Sequence, residues 1–202
     1  KSTINDSGAG RRIQGMEGQK IRLGQYIRKV DAALRPILAQ AGVPLILAAT
    51  KPVADLFVTL SSLETLEKII ETSPDDMSEA ELANAARPIL DSHYDEKIAN
   101  FPALFKARVN EGRATTDMSD AARAATFGGI DTILVDIDSI VEGSIDETSG
   151  AVEFAEDGNA GGYGIVDEIA GRSLRTGAQV LAVRRQDIPD ERSLAAILRY
   201  PV

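Results

Sequence analysis

The sequence predicts a mixed α/β protein built from two small domains, and three observations carry that expectation. Over 17–41 the apolar residues Leu23, Ile27, Val30, Leu34, Ile37, Leu38 and Ala41 recur at steps of three and four, the stripe of an amphipathic helix. Gly42 and Pro44 stop that helix, and Pro44-Leu45-Ile46-Leu47-Ala48-Ala49 follows as a short apolar run suited to a buried strand. The second half alternates helical and strand-like segments around a hairpin signature, which is the pattern of a layered α/β sandwich. A chain of 202 residues suits two such domains, and Arg113-Ala114-Thr115-Thr116 is the best boundary, giving domains 1–113 and 114–202.

Taken in order, residues 1–16 are polar and rich in glycine and read as a mobile loop. After the helix over 17–41 and the strand over 44–49, residues 51–72 hold one or two short helices with Leu56, Phe57, Leu60, Leu63, Leu66 and Ile69 or Ile70 as apolar candidates. Ser73-Pro74-Asp75-Asp76 is a turn, and Ser78-Glu79-Ala80-Glu81 is a capping box that opens a long helical stretch reaching about Glu111. Pro88 and Pro102 should bend or break that stretch, because each removes a backbone donor. Beyond it lie a helix over 117–127, a strand over 130–137, a hairpin of 140–145 and 151–155 about Asp146-Glu147-Thr148-Ser149-Gly150, a helix over 163–176, and strands over 178–183 and 194–200.

Composition excludes several classes. The chain has no cysteine and one histidine, His93, so disulfide frameworks, Cys-based zinc sites and His-rich metal sites are out. No apolar run approaches the ~18–20 residues that cross a bilayer, and no cofactor or membrane partner is expected. The net charge of −9 argues against a protein coated by nucleic acid. Its distribution is uneven: residues 1–35 balance to +5, 36–116 to −5 and 117–202 to −9. An acidic body with a basic first end suits RNA contact at that end alone. The chain opens Lys1-Ser2-Thr3 without an initiator Met, which reads as a cut inside a longer protein.

Few motifs carry chemistry. The run Gly158-Asn159-Ala160-Gly161-Gly162-Tyr163-Gly164 lacks the strand and the Lys-Ser/Thr of a phosphate loop and reads as a flexible connection. Asp136 and Asp138, with Asp131 nearby, have the spacing to hold Mg²⁺, but strand ends carry aspartates often, and no metal is expected. His93 has no nucleophile motif beside it and reads as an ordinary helical histidine. The remaining candidate is the segment 11–22, read as a loop. Its glycines Gly15 and Gly18 permit close backbone approach, Gln19 can orient a water, and Arg11, Arg12, Lys20 and Arg22 can hold phosphates.

These parts together resemble the middle and C-terminal domains of the archaeo-eukaryotic class-1 peptide-release-factor and Pelota superfamily, in its bacterial branch. The ending Ser193-Leu194-Ala195-Ala196-Ile197-Leu198-Arg199-Tyr200-Pro201-Val202 is similar to the strand "G-I-A-A-I-L-R-Y" that closes the family's third domain. Ala124-Ala125-Thr126-Phe127-Gly128-Gly129-Ile130-Asp131-Thr132-Ile133-Leu134-Val135 resembles the helix and strand that open it. The helix over 17–41 leading into 45–49 resembles the middle domain after its catalytic Gly-Gly-Gln loop, with Glu17-Gly18-Gln19 in the comparable place.

The resemblance implies an RNase H-like middle domain over 1–113 and, over 114–202, an α/β sandwich of the kink-turn-RNA-binding ribosomal-protein type. The family's first domain would precede Lys1. It further implies a cytoplasmic, ribosome-associated release or rescue factor acting on peptidyl-tRNA. Gly18 and Gln19 would be its catalytic pair and Arg11, Arg12, Lys20 and Arg22 its RNA contacts. Glu17 stands where the family has its first glycine, which implies weakened or lost hydrolysis. The alternative is a non-catalytic protein- or RNA-interaction module in a stress response, with a protein partner at the acidic C-terminal domain. A metal-dependent nuclease ranks last, for want of a carboxylate cluster before residue 75.

Overall fold

A computed structural model describes residues 8–38, 43–155 and 163–201, which fall in two compact units, Lys1–Ser92 and His93–Val202. The mixed α/β class is as expected.

The first unit begins with α1 (Gly8–Leu38). The loop expected over 1–16 is therefore corrected for residues 8–16, which are helical. Ala9, Arg11, Arg12, Gln14 and Met16 favour helix, no proline intervenes before Pro36, and the glycines at ~1 kcal/mol each do not outweigh them. Ile27 is fully buried against α2 (Lys51–Leu60), with Ala54 and Phe57 buried on that helix. Between α1 and α2 lies β1 (Ala48–Ala49), which pairs in parallel with β2 (Ile70–Glu71). The expected strand over 44–49 is regular only at its last two residues, but the Leu45 and Leu47 carbonyls accept from the N–H groups of Leu66 and Ile70 at 2.8 and 2.9 Å.

The stretch 51–72 holds one helix, not two. The Asp31 carboxylate accepts from the Ser62 N–H at 2.7 Å and the Ser61 hydroxyl at 2.8 Å, and so ends α2 from a position thirty residues earlier. The chain beyond is drawn out as β2.

The helix α3 (Glu79–Val109) opens at the expected capping box. The Ser78 N–H donates to Glu81 Oε2 at 2.8 Å and the Glu81 N–H to Ser78 Oγ at 3.3 Å, and the hydroxyl and N–H of Ser78 hold the Glu81 carboxyl below its ordinary range. Of the bend or break expected at Pro88 and Pro102, the break does not occur: α3 continues through both. Both prolines are on the exposed side, where water replaces the lost backbone bond.

In the second unit, β3 (Ala114–Thr115), α4 (Met118–Thr126) and β4 (Ile130–Asp136) are followed by β5 (Glu142–Ile145), β6 (Val152–Phe154), β7 (Tyr163–Gly164), α5 (Ile165–Arg175), β8 (Gln179–Val183) and β9 (Leu194–Leu198). The main sheet runs β3-β9-β4-β8, with β4 and β8 parallel and β9 antiparallel to β4. Side chains alternate across it as the strand period requires. Ile133, Val135, Leu194, Ala196 and Leu198 join α4 and α5 in one core, while Leu134, Leu181, Val183, Ala195 and Ile197 pack with Phe101 and Phe105 from the last turns of α3 in another. That explains why β9 is apolar at every position: both of its faces are covered. The expected hairpin is present, with Gly143 opposite Phe154 and Ile145 opposite Val152, and β7 extends it on the other side of β5.

Candidate functional site

Segment 17–35 of α1 carries most of the expected site. Leu23, Gly24, Ile27, Val30, Asp31 and Leu34 form its inward side, and the rest is largely solvated. At Gly24 the packing is close: a Cβ there would stand 3.3 Å from Leu60 Cδ1, which would have to shift by a few tenths of an ångström. Asp31 is buried and accepts from Ser61, Ser62 and Arg35; these bonds, the Ser61 hydroxyl first and then the Ser62 N–H, hold its carboxyl far below the ordinary aspartate range. The anion is therefore a structural anchor between α1 and the end of α2. Beyond it, Arg35, Leu38, Val43, Leu45, Ser62, Leu63 and Glu64 line an open cleft of about 320 Å³.

Gly18 and Gln19 lie within α1, not in a loop. Gln19 is exposed, and nothing stands within 4 Å of where a Gly18 Cβ would be, so no close approach within the described residues demands that glycine. Lys20 and Arg22 are exposed on the same stretch, as is Glu17. The backbone of Arg11 and Arg12 belongs to α1; their side chains lie outside the described residues. The sequence reading missed Gly24 and Asp31. Gly24 interrupts the apolar stripe and Asp31 lies on its inward side, and that pattern was the only available signal.

In the second unit the aspartate pair is committed elsewhere. Asp136 is buried and accepts from Arg185 Nε at 3.0 Å, and Asp138 pairs with Arg184. Among the described residues no group of three His, Asp or Glu side chains is placed to hold a metal ion. His93 is half-buried on α3, edge-on to Tyr94. Most of the glycine-rich run, 158–162, lies outside the described residues. A second cleft, about 270 Å³, includes Thr126, Glu147, Glu168, Arg172 and Arg175. Its central cation is spent on the fold: Arg172 donates to Glu168 Oε1 at 2.7 Å, Thr126 Oγ1 at 2.7 Å, and the Ile145 and Asp146 carbonyls at 3.0 and 3.1 Å. No helix among the described residues is long and apolar enough to cross a membrane.

Comparison with known proteins bears on the first unit most directly. Residues 1–96 match the model of bacterial archaeo-eukaryotic release factor family 11. The resemblance to the bacterial branch of the release-factor superfamily is thereby borne out over these residues. Among curated proteins none matches. The chain is similar in structure to the C-terminal domain of a peptide chain release factor from Methanosarcina mazei, at 19% identity and a TM-score of 0.44, over 63% of this chain and 98% of that one. Archaeal Pelota, in a ribosome-bound model with ABCE1, aligns at 14% identity and a TM-score of 0.48 over 88% of this chain and 49% of its own. Dom34 of S. cerevisiae, described as a translation termination-like factor in RNA quality control that interacts with Hbs1, aligns at 14% and 0.43, over 88% and 52%. The chain thus spans about half the length of these Pelota and Dom34 chains.

Proposed function

We propose that the chain acts as a cytoplasmic, ribosome-associated factor of the release or rescue type, with weakened or lost peptidyl-tRNA hydrolysis. The supporting observation is that the family match over residues 1–96 includes α1, which carries the half-buried Gly18 beside the exposed Gln19, Lys20 and Arg22, with Glu17 directly before them. In this reading Arg11, Arg12, Lys20 and Arg22 hold RNA phosphates while Gln19 orients the water that attacks the peptidyl-tRNA ester. Gly18 lowers helix propensity by ~1 kcal/mol relative to Ala, so the backbone around Gln19 opens there at small cost. Glu17 opposes entry into a phosphate-lined space, because like charges repel more strongly as water is excluded. The domain limits proposed with this function are 1–113, RNase H-like, and 114–202, of the ribosomal-protein type.

The test is co-sedimentation of the full-length protein with ribosomes, followed by a peptidyl-tRNA hydrolysis assay. The expected result is migration with ribosomes that weakens on charge reversal at Arg11, Arg12, Lys20 and Arg22. Glu17→Gly should raise hydrolysis, and Gln19→Ala in that background should abolish the gain. Protein that stays at the top of the gradient at every salt concentration refutes the ribosomal reading. The second reading, a non-catalytic module that binds a protein through its acidic C-terminal domain, is favoured by the exposed apolar side chains Phe127, Leu174 and Tyr200.

A further inference from the structure

The solvent side of α1 continues past the expected site, and its composition is one-sided. From Gly18 to Val30 the helix carries Lys20, Arg22, Arg28 and Lys29 and no carboxylate. The first acid beyond, Asp31, is turned inward and buried. At 100° per residue Arg22, Gln25 and Lys29 fall on one line down the exposed side, with Arg28 flanking it on one edge and Tyr26 on the other. Arg22 to Lys29 spans about 10 Å of helix. Arg22, Arg28 and Lys29 make no salt bridge among the described residues, whereas Arg35, one turn beyond Asp31, is paired with that buried carboxylate. Tyr26 is 64% exposed, a large ring left mostly in solvent and within a turn of Arg22 and Lys29.

We infer that this face of α1 is a docking surface for structured RNA, in which Arg22, Arg28 and Lys29 take backbone phosphates and Tyr26 stacks on an unpaired base. Charge complementarity supplies the occupant. An RNA backbone is a line of anions that guanidinium and ammonium groups meet along a helix, and the guanidinium fork is shaped for phosphate. The tyrosine distinguishes an RNA with unstacked bases from a uniform duplex, because bases splayed from a bulge or loop stack on aromatic rings. The inference deepens the ribosomal reading and rests on it for the class of partner, while adding Tyr26, Arg28 and Lys29 to the surface.

The test is fluorescence anisotropy of the full chain with two labelled RNA hairpins of equal length, one carrying an unpaired purine bulge and one fully paired, between 50 and 200 mM NaCl. The triple variant Arg22→Gln, Arg28→Gln, Lys29→Gln keeps good helix formers and should reduce the slope of log K against log[salt] by about 2–3, since each neutralised phosphate contributes ~0.9. Tyr26→Ala should weaken binding to the bulged hairpin about tenfold with the slope unchanged, and Tyr26→Phe should restore it. Circular dichroism of each variant verifies that α1 is intact. An unchanged slope in the triple variant overturns the inference. So does polyglutamate competing as well as RNA at equal charge, which would assign the face to an acidic protein. Hairpin binding with these signatures in a protein that ignores ribosomes would refute the ribosomal reading alone; ribosome binding weakened by charge reversal at Arg11, Arg12 and Lys20 but unaltered by Arg28→Gln, Lys29→Gln and Tyr26→Ala would refute the inference alone.

Discussion

Replacing Arg172 by alanine should loosen the second unit as a whole. The guanidinium is buried and joins three elements: its own helix α5 through Glu168, α4 through Thr126, and the turn between β5 and β6 through the Ile145 and Asp146 carbonyls. The Glu168 bond contributes least, because that carboxylate is 37% exposed and screened, so it is worth no more than ~1 kcal/mol. Thr126 keeps its bond to the Ala122 carbonyl without the arginine. The two carbonyls lose a charged donor in a site with little water, at ~1–2 kcal/mol each. The expected loss is therefore about 3 kcal/mol. Amide hydrogen exchange on the intact chain reads this directly: the β4 and β9 amides should exchange about 100-fold faster, since ~1.4 kcal/mol corresponds to tenfold. Arg172→Lys should recover only about 1 kcal/mol, because one ammonium cannot span all four acceptors. Exchange within threefold of wild type in Arg172→Ala, or full rescue by lysine, would refute the reasoning.

Two further perturbations separate backbone from side-chain effects. Gly150 and Gly177 both adopt positive φ, +71° and +74°, but a Cβ at Gly150 would stand 2.8 Å from Arg123 Cα whereas one at Gly177 meets nothing within 4 Å. Gly177→Ala should thus cost the conformational strain of ~1–2 kcal/mol alone, and Gly150→Ala visibly more in parallel urea titrations. Acid should weaken the fold through Asp31, Glu81 and Asp146, whose carboxyls are all held below their ordinary values by hydrogen bonds from serine side chains and backbone N–H groups. The folded state binds protons less readily than the unfolded one. That stabilisation is complete above the unfolded values near ~4 and is lost as pH falls through the folded ones. The urea midpoint should drop between pH 6 and pH 3, and less steeply in Asp31→Asn; equal slopes in the two proteins would remove Asp31 from the account.

The elements most legible in the sequence are those whose signals are local. Ser78 and Glu81 cap α3 as their spacing foretells, the turn about Asp146 makes its hairpin, and the apolar segments 130–137 and 194–200 form β4 and β9. Where the reading failed, a distant partner or the solvent decided. The glycines of 8–16 do not break α1, Pro88 and Pro102 are absorbed on an exposed face, and residues 61–72 leave the helix because Asp31, Leu45 and Leu47 bind their backbone and side-chain groups from far along the chain.

The candidate site divides the same way. Gly18, Gln19, Lys20, Arg22 and the positive balance of residues 1–35 are visible as residues, and the family resemblance follows from short motifs that need no fold. The cations around Tyr26 are also plain in the sequence. Which side of α1 meets water is not, because that depends on α2 covering Ile27 and Gly24 and on Ser61 and Ser62 drawing Asp31 inward. Periodicity and charge belong to the chain itself and survive without packing. Exposure, and with it the difference between a structural carboxylate and a surface free to take a ligand, exists only once residues thirty positions apart have been brought into contact.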